Sequence, residues 1–370
     1  MLASCSAREL TASIDDPSPD VARAAIGRLV ELEGADAEPV LEARLLESDL
    51  SIVADIARAL KPVASTRTIE LAVSGLSEDV YTRRLAAARV LGLIGDRSAI
   101  GPLRRALEDE VAGVRVEVLG ALAKLRAGDA AADCARRVSD PCAQVRLAAV
   151  RTAVAIGDPG VVLEAAAGDS ETVVRLEVAH HLGRLPALVA AALLADPDAQ
   201  VREAGARSAG IRQLDALAGL LRTDSISAVR RAAARRLGEL GADGVEQVAL
   251  ISGIEDRDAI VRAAVLRGLE QALGRPGAIE RLIAELASRR PERRRAAVFA
   301  LGRARALEAS CDVWRLADDP DLDVRLALIL VAADVLPDPE PLLRYMATDP
   351  NSAVRHSALS RVRVTSAPAT

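Results

Sequence analysis

Six arginines, Arg58, Arg89, Arg151, Arg207, Arg235 and Arg267, occupy one position of a recurring sequence phrase, with His180 in the same column. A guanidinium is a planar fork of donors that fits carboxylate and phosphate oxygens two at a time. A column of them is therefore the chemistry of an anion-binding surface. Other chemistry is sparse. The histidines are His180, His181 and His356. Adjacent helical residues point about 100° apart, so His180 and His181 do not converge on one metal ion. Cys5, Cys134, Cys142 and Cys311 are scattered without a Cys-x-x-Cys pair, which predicts neither a zinc site nor a disulfide framework and fits a reducing cytoplasm. No phosphate-cradling glycine loop, nucleophile elbow or dinucleotide fingerprint occurs. The expectation is a non-enzyme with no catalytic residues, no metal and no cofactor.

The phrase that carries the arginines reads Asp, often Pro, a few variable residues, Val-Arg, a small residue, then Leu-Gly. Taking the Arg of Val-Arg as position zero, the register falls at Ala22, Val53, Arg84, Arg115, Arg146, Arg175, Arg202, Arg230, Arg262, Arg294, Arg325 and Arg355. Six residues earlier stands Asp, replaced by Glu47, Glu78 and Ser288 in three copies. Seven residues later stands a recurrent Leu, as at Leu91, Leu122, Leu237 and Leu301. A fixed period of about 30 residues marks a stacked array in which each unit buries its apolar face against its neighbours. The units fall near 8–34, 37–63, 67–95, 98–126, 129–157, 160–185, 187–211, 213–241, 244–273, 276–303, 306–335 and 338–362. They form a single solenoid over 1–362, with 363–370 a disordered tail.

Each unit reads as two helices. In the fourth, Ile100, Leu103 and Leu107 mark one apolar face, and Val114, Val118, Leu119 and Leu122 mark another. The Asp of the phrase falls where the second helix begins and can accept unpaired first-turn amide hydrogens. Pro17, Pro141, Pro197, Pro320 and Pro350 follow it, at positions where a missing N–H costs nothing. Gly95, Gly157 and Gly241 suit left-handed helix stops. Hydrophobic residues make up 51% of the chain and aromatic ones 1%, so the core must be Ala, Val and Leu, which lets helix axes approach closely. Trp314, beside Val313 and Leu316, is expected in that core, with Tyr81 and Tyr345 isolated. No stretch reaches the roughly 20 apolar residues of a membrane span. A net charge of −5 argues against a generally basic nucleic-acid binder. The Leu2-Ala3-Ser4-Cys5 box has only Met1 before it and reads as coincidence rather than a lipoprotein signal.

The Asp-Pro-x-x-x-Val-Arg-x-x-Ala-x-x-x-Leu-Gly phrase resembles HEAT repeats. Its short period is most similar to the HEAT-like subclass first associated with phycobilin lyases. The resemblance implies an all-α fold, a right-handed α–α superhelix of about eleven to twelve helix pairs. It also implies that the repeated acid and base form a structural ladder between units: Asp109, Arg115, Asp140, Arg146, Asp169, Arg175, Asp196, Arg202, Asp224, Arg230, Asp256, Arg262, Asp319, Arg325, Asp349 and Arg355. Ala22 and Val53 depart from it at the first units, as an end cap would. Arg83 and Arg293 replace the preceding Val, and Ser288 removes the Asp from the tenth unit.

The arginine column lies five residues after position zero, about 160° from the apolar direction of the second helix. It faces solvent, and in a HEAT-like array it lines the inner groove. The column ends apolar, at Phe299 and Leu330, with Leu326 nearby, read as C-terminal cap packing. The favoured occupant of the groove is an acidic protein or peptide held by a non-catalytic scaffold. Nucleic acid is the alternative occupant, and a phycobilin-lyase-like subunit or chaperone the third reading. A solvated face competes with all three, because Glu117, Glu177, Glu203 and Glu239 lie near enough to pair with the column.

Overall fold

The computed structural model describes residues 5–46, 50–241, 245–307 and 313–365. Glu47, Cys311 and residues 366–370 of the expected tail lie outside them. All regular structure among the described residues is helical, and the chain is an all-α solenoid of stacked helix pairs. It divides into two units, Met1–Val178 and Ala179–Thr370.

In the first unit the pairs are α1 (Ala7–Ser13) with α2 (Pro19–Glu33), α3 (Glu38–Glu42) with α4 (Leu50–Leu60), and α5 (Thr66–Gly75) with α6 (Tyr81–Ile94). They continue as α7 (Ile100–Ala106) with α8 (Ala112–Lys124), α9 (Ala131–Arg137) with α10 (Ala143–Ile156), and α11 (Gly160–Ala166) with α12 (Thr172–Ala179). The second unit holds α13 (Ala187–Leu194) with α14 (Ala199–Ser208), α15 (Leu214–Thr223) with α16 (Ser227–Glu239), and α17 (Val245–Ser252) with α18 (Ala259–Glu285). It closes with α19 (Pro291–Arg303), α20 (Val313–Ala317) with α21 (Leu322–Val335), and α22 (Glu340–Met346) with α23 (Ser352–Thr365). The long α18 is two helices: Gly274, with φ 71° and ψ 160°, breaks it, and Pro276 follows at a position that needs no amide hydrogen. The first of these completes the α17 pair and the second pairs with α19.

Second helices stack on second helices, α6 on α8 on α10 and α14 on α16 on α18. Small residues set how closely. A Cβ added at Gly238 of α16 would sit 2.3 Å from the Gly268 Cα of α18, and one at Gly92 would sit 2.7 Å from the Ala121 Cα. Only glycine permits these approaches. The space between is filled by Leu91, Leu119, Leu122, Leu237 and Leu269, all 1% exposed or less. Each fully buried Leu contributes roughly 1.5–3 kcal/mol. Gly95 and Gly157 end α6 and α10 in the left-handed region, at φ 88° and 95°.

Trp314 does not enter this core. It is 52% exposed and meets Tyr345 edge to face at 5.9 Å, so neither ring is isolated. The helix carrying it is five residues long and buries Val313, Leu316 and Ala317, which leaves the residue beside Val313 facing out.

Candidate functional site: an arginine ladder and an arginine face

The repeated Asp does not cap its helix in the expected way. Asp109 Oδ1 accepts the Val111 N–H at 2.8 Å, but Val111 is itself the residue before α8. The carboxylate closes a turn just upstream of the helix, and the same bond recurs at Asp140, Asp169, Asp196, Asp224, Asp256, Asp319 and Asp349. In three units a second acid two residues on takes the cap: Asp198, Asp258 and Asp321 accept first-turn amides of α14, α18 and α21. That second carboxylate is visible in the sequence as Asp-x-Asp.

The turn leaves one flank of each carboxylate for the arginine of the preceding repeat. Arg115 Nε and Nη2 donate to Asp140 at 2.9 and 2.8 Å, while its Nη1 donates to the carbonyls of Asp109 and Glu110. The same fork joins Arg84 to Asp109, Arg146 to Asp169, Arg202 to Asp224, Arg230 to Asp256, Arg294 to Asp319 and Arg325 to Asp349. Arg175 and Arg355 make the carbonyl contacts of their own turns. The acids are nearly sealed; Asp140 has 1% of its side chain exposed. Arg146's hydrogen bonds hold the Asp169 carboxyl below its ordinary range, overcoming the burial that pushes it up. At Asp140 and Asp224 burial raises the carboxyl most, yet the bonds from Arg115 and Arg202 and from turn amides together outweigh it. These arginines are committed to the fold.

The outer column differs. Arg58, Arg151, Arg207, Arg235 and Arg267 are exposed along with His180, whereas Arg89 is half-buried. Five of the six arginines meet carboxylates of their own surface: Arg58 with Asp55, Arg89 with Glu117, Arg151 with Glu177, Arg207 with Glu203 and Arg235 with Glu239. Among the described residues Arg267 has only a backbone contact, to the Ala263 carbonyl at 3.4 Å.

The surroundings separate the two units. In the first, acids match the column one to one. In the second, a depression of about 670 Å³ crosses α14, α16 and α18 and is lined by Arg207, Arg231, Arg235, Arg236 and Arg267. Among the described residues the carboxylates that pair with these five guanidiniums are Glu203 and Glu239, an excess of three positive charges. Arg231 and Arg236 stand outside the column, at positions +1 and +6 of the same repeat as Arg235. Across α18, Phe299 and Leu330 are 39% and 40% exposed and line further depressions. They are not packed as a terminal cap, because the groove beside α19 and α21 is open.

The family profile for HEAT repeats matches residues 66–138. That stretch of the chain is similar to HEAT repeats. It holds α5 to α9 and the Arg84–Asp109 rung, and the same Asp turn and Arg fork recur through most of the remaining repeats. No curated protein matches the chain. Among solved structures it is similar to YibA of E. coli, at 20% identity over 62% of this chain and 91% of that one, with a TM-score of 0.47. It is also similar to the complex of CpcE and CpcF of phycocyanin lyase from Nostoc sp. PCC7120, at 17% identity over 79% and 92%, with a TM-score of 0.31. An engineered protein aligns at 18% identity over 97% and 98%, with a TM-score of 0.32. Among the described residues no group of His, Cys, Asp or Glu is placed to hold a metal ion, and no helix is long and apolar enough to cross a membrane.

Proposed function

We propose that this protein is a non-catalytic scaffold that holds an acidic protein segment in the depression across α14, α16 and α18. One observation carries the reading: among the described residues five guanidiniums face two carboxylates there, and Arg267 has no carboxylate of its own. An uncompensated cluster of this kind recruits and orients an acidic partner through its field and through bidentate contacts. Ile260, 57% exposed on the same wall, favours a segment with apolar residues among its acids. The site residues sort accordingly. Arg207, Arg235 and Arg267, joined by Arg231 and Arg236, make the binding face, whereas Arg58, Arg89 and Arg151 are neutralised surface.

The test is fluorescence anisotropy at low salt with a labelled Glu-rich peptide and a labelled single-stranded oligonucleotide. The peptide is expected to bind wild type and Arg151→Glu alike, and to bind Arg235→Glu/Arg267→Glu about tenfold or more weakly. Equal binding by both variants would sink the reading. Tighter binding of the oligonucleotide, with a steep loss of affinity as salt rises, would replace the peptide by a phosphate backbone.

A further inference from the structure

Where a ladder Arg is followed by a further repeat, a single rung among the described residues, that of Arg262, has a base and no acid at the register position. Ser288 stands where the tenth repeat should supply Asp, 26 residues after Arg262, the same separation as Asp256 from Arg230. The backbone there keeps the geometry of the other rungs. Ser288 Oγ accepts the Arg290 N–H at 3.3 Å as the Asp carboxylates do, and the Ser288 carbonyl accepts from Arg294 Nη1 at 2.8 Å. Only the side chain is too short. Arg262 in turn keeps the posture of its counterparts, with Nη1 on the carbonyls of Asp256 and Arg257 at 2.7 and 3.2 Å. Its Nε and Nη2, the edge that grips a carboxylate in seven other rungs, have no hydrogen-bond or ion-pair partner among the described residues.

The acids lining the neighbouring depressions are engaged elsewhere. Asp256 belongs to Arg230, Glu255 to Arg290 and Arg293, Glu292 to Arg290, Asp323 to Arg295 and Asp334 to Arg361. Arg262 also lines two adjoining depressions, of about 510 and 530 Å³, whose apolar walls include Phe299 and Leu330. A preformed bidentate site for one carboxylate thus opens beside exposed apolar surface.

We infer that a partner completes this rung: an Asp or Glu side chain from the bound segment docks on the Nε–Nη2 edge of Arg262, and a large apolar residue beside it packs on Phe299 and Leu330. The inference rests on the reading of this protein as a scaffold for an acidic segment, and it names the anchor. The two surfaces flank the first half of α18, Arg267 facing the α16 side and Arg262 the α19 side, so one extended segment can span both.

The rung can be closed from inside. Ser288→Asp supplies the missing carboxylate, whereas Ser288→Thr keeps the turn hydroxyl without it. A randomised linear peptide library displayed on phage is selected against the full chain, and an enriched peptide is synthesised for anisotropy. Enriched sequences are expected to carry an acid next to a large apolar residue. Ser288→Asp should bind the peptide about tenfold or more weakly than wild type and melt at higher temperature, Ser288→Thr should bind as wild type does, and Phe299→Ser should bind weakly. Failure of any peptide to enrich, enrichment of peptides without an acid, or full binding to Ser288→Asp overturns the inference. Binding that is lost in Arg235→Glu/Arg267→Glu but retained in Ser288→Asp leaves the acidic-partner reading standing and removes only the anchor.

Discussion

Arg115 and Asp140 are joined by two parallel hydrogen bonds of 2.9 and 2.8 Å, although they belong to different repeats, and the Asp side chain is 1% exposed. The arginine is also tied to the turn of its own repeat, so one residue fixes the spacing and rotation of two. Removing the acid leaves a guanidinium sheltered from water without its counter-charge. Asp140→Ala is expected to cost about 3–5 kcal/mol, measured as a lower midpoint of urea unfolding. A loss below about 1 kcal/mol would place the rung among surface ion pairs.

The acid dependence follows from the same bonds. Asp140, Asp169 and Asp224 have folded-state carboxyls held below the ordinary value of 3.8. A depressed carboxyl contributes stability that is fully present above its unfolded pKa and is lost as pH falls through the lower folded value. Urea midpoints should therefore hold from neutral pH down to about 5 and fall below about 4. Asp169→Asn should flatten part of that fall. A midpoint that declines already between pH 7 and 6 would assign the sensitivity to another group.

Glycines in the second helices divide into two classes. A methyl at Gly238 would collide with the Gly268 backbone at 2.3 Å, and Gly238→Ala should destabilise by about 1–3 kcal/mol or more. Gly27 and Gly120, inside α2 and α8, have nothing within 4 Å of a built Cβ. Alanine there should stabilise by about 0.5–1 kcal/mol, because it narrows the unfolded ensemble and favours helix. Thermal unfolding of the three variants reads the opposite signs directly.

Cys134 is fully buried, and burial pushes its thiol up to about 11. It should resist maleimide at neutral pH in the native protein and react once urea exceeds the unfolding midpoint, whereas the partly exposed Cys142 should label first. Peptide mapping of the labelled chain separates the two. Early labelling of Cys134 would mean that α9 opens locally.

The second unit should also respond to salt more than the first. In the first unit the column arginines sit beside their own acids, whereas the depression at Arg267 holds three excess charges. Exposed charges are screened over about 8 Å at physiological ionic strength. Acidic-peptide binding should weaken steadily as salt rises, with no matching change in the urea midpoint. A salt-independent affinity would point to apolar contact at Ile260 instead.

The sequence by itself determined the period, the helix pairs, the Ala, Val and Leu core and the outward direction of the Arg58 to Arg267 column. These are properties of spacing: a 3.6-residue helix and a repeat of about 30 leave a given position no choice of face. It also exposed the irregular tenth repeat, since Ser288 and Arg293 break the phrase in plain view. Tertiary structure decided what spacing does not encode. Whether a column arginine is neutralised depends on which acid of the same or the next helix lies within reach, so Arg151 found Glu177 and Arg267 found none among the described residues. The flank that the Asp turn leaves open decided that Arg115 reaches the following repeat. Trp314 lies outside the core because its short helix turned that face to solvent, and among the described residues nothing packs over Phe299 and Leu330 on α19 and α21. Periodicity fixes direction along one helix; pairing and exposure are fixed by neighbours tens of residues away in the chain.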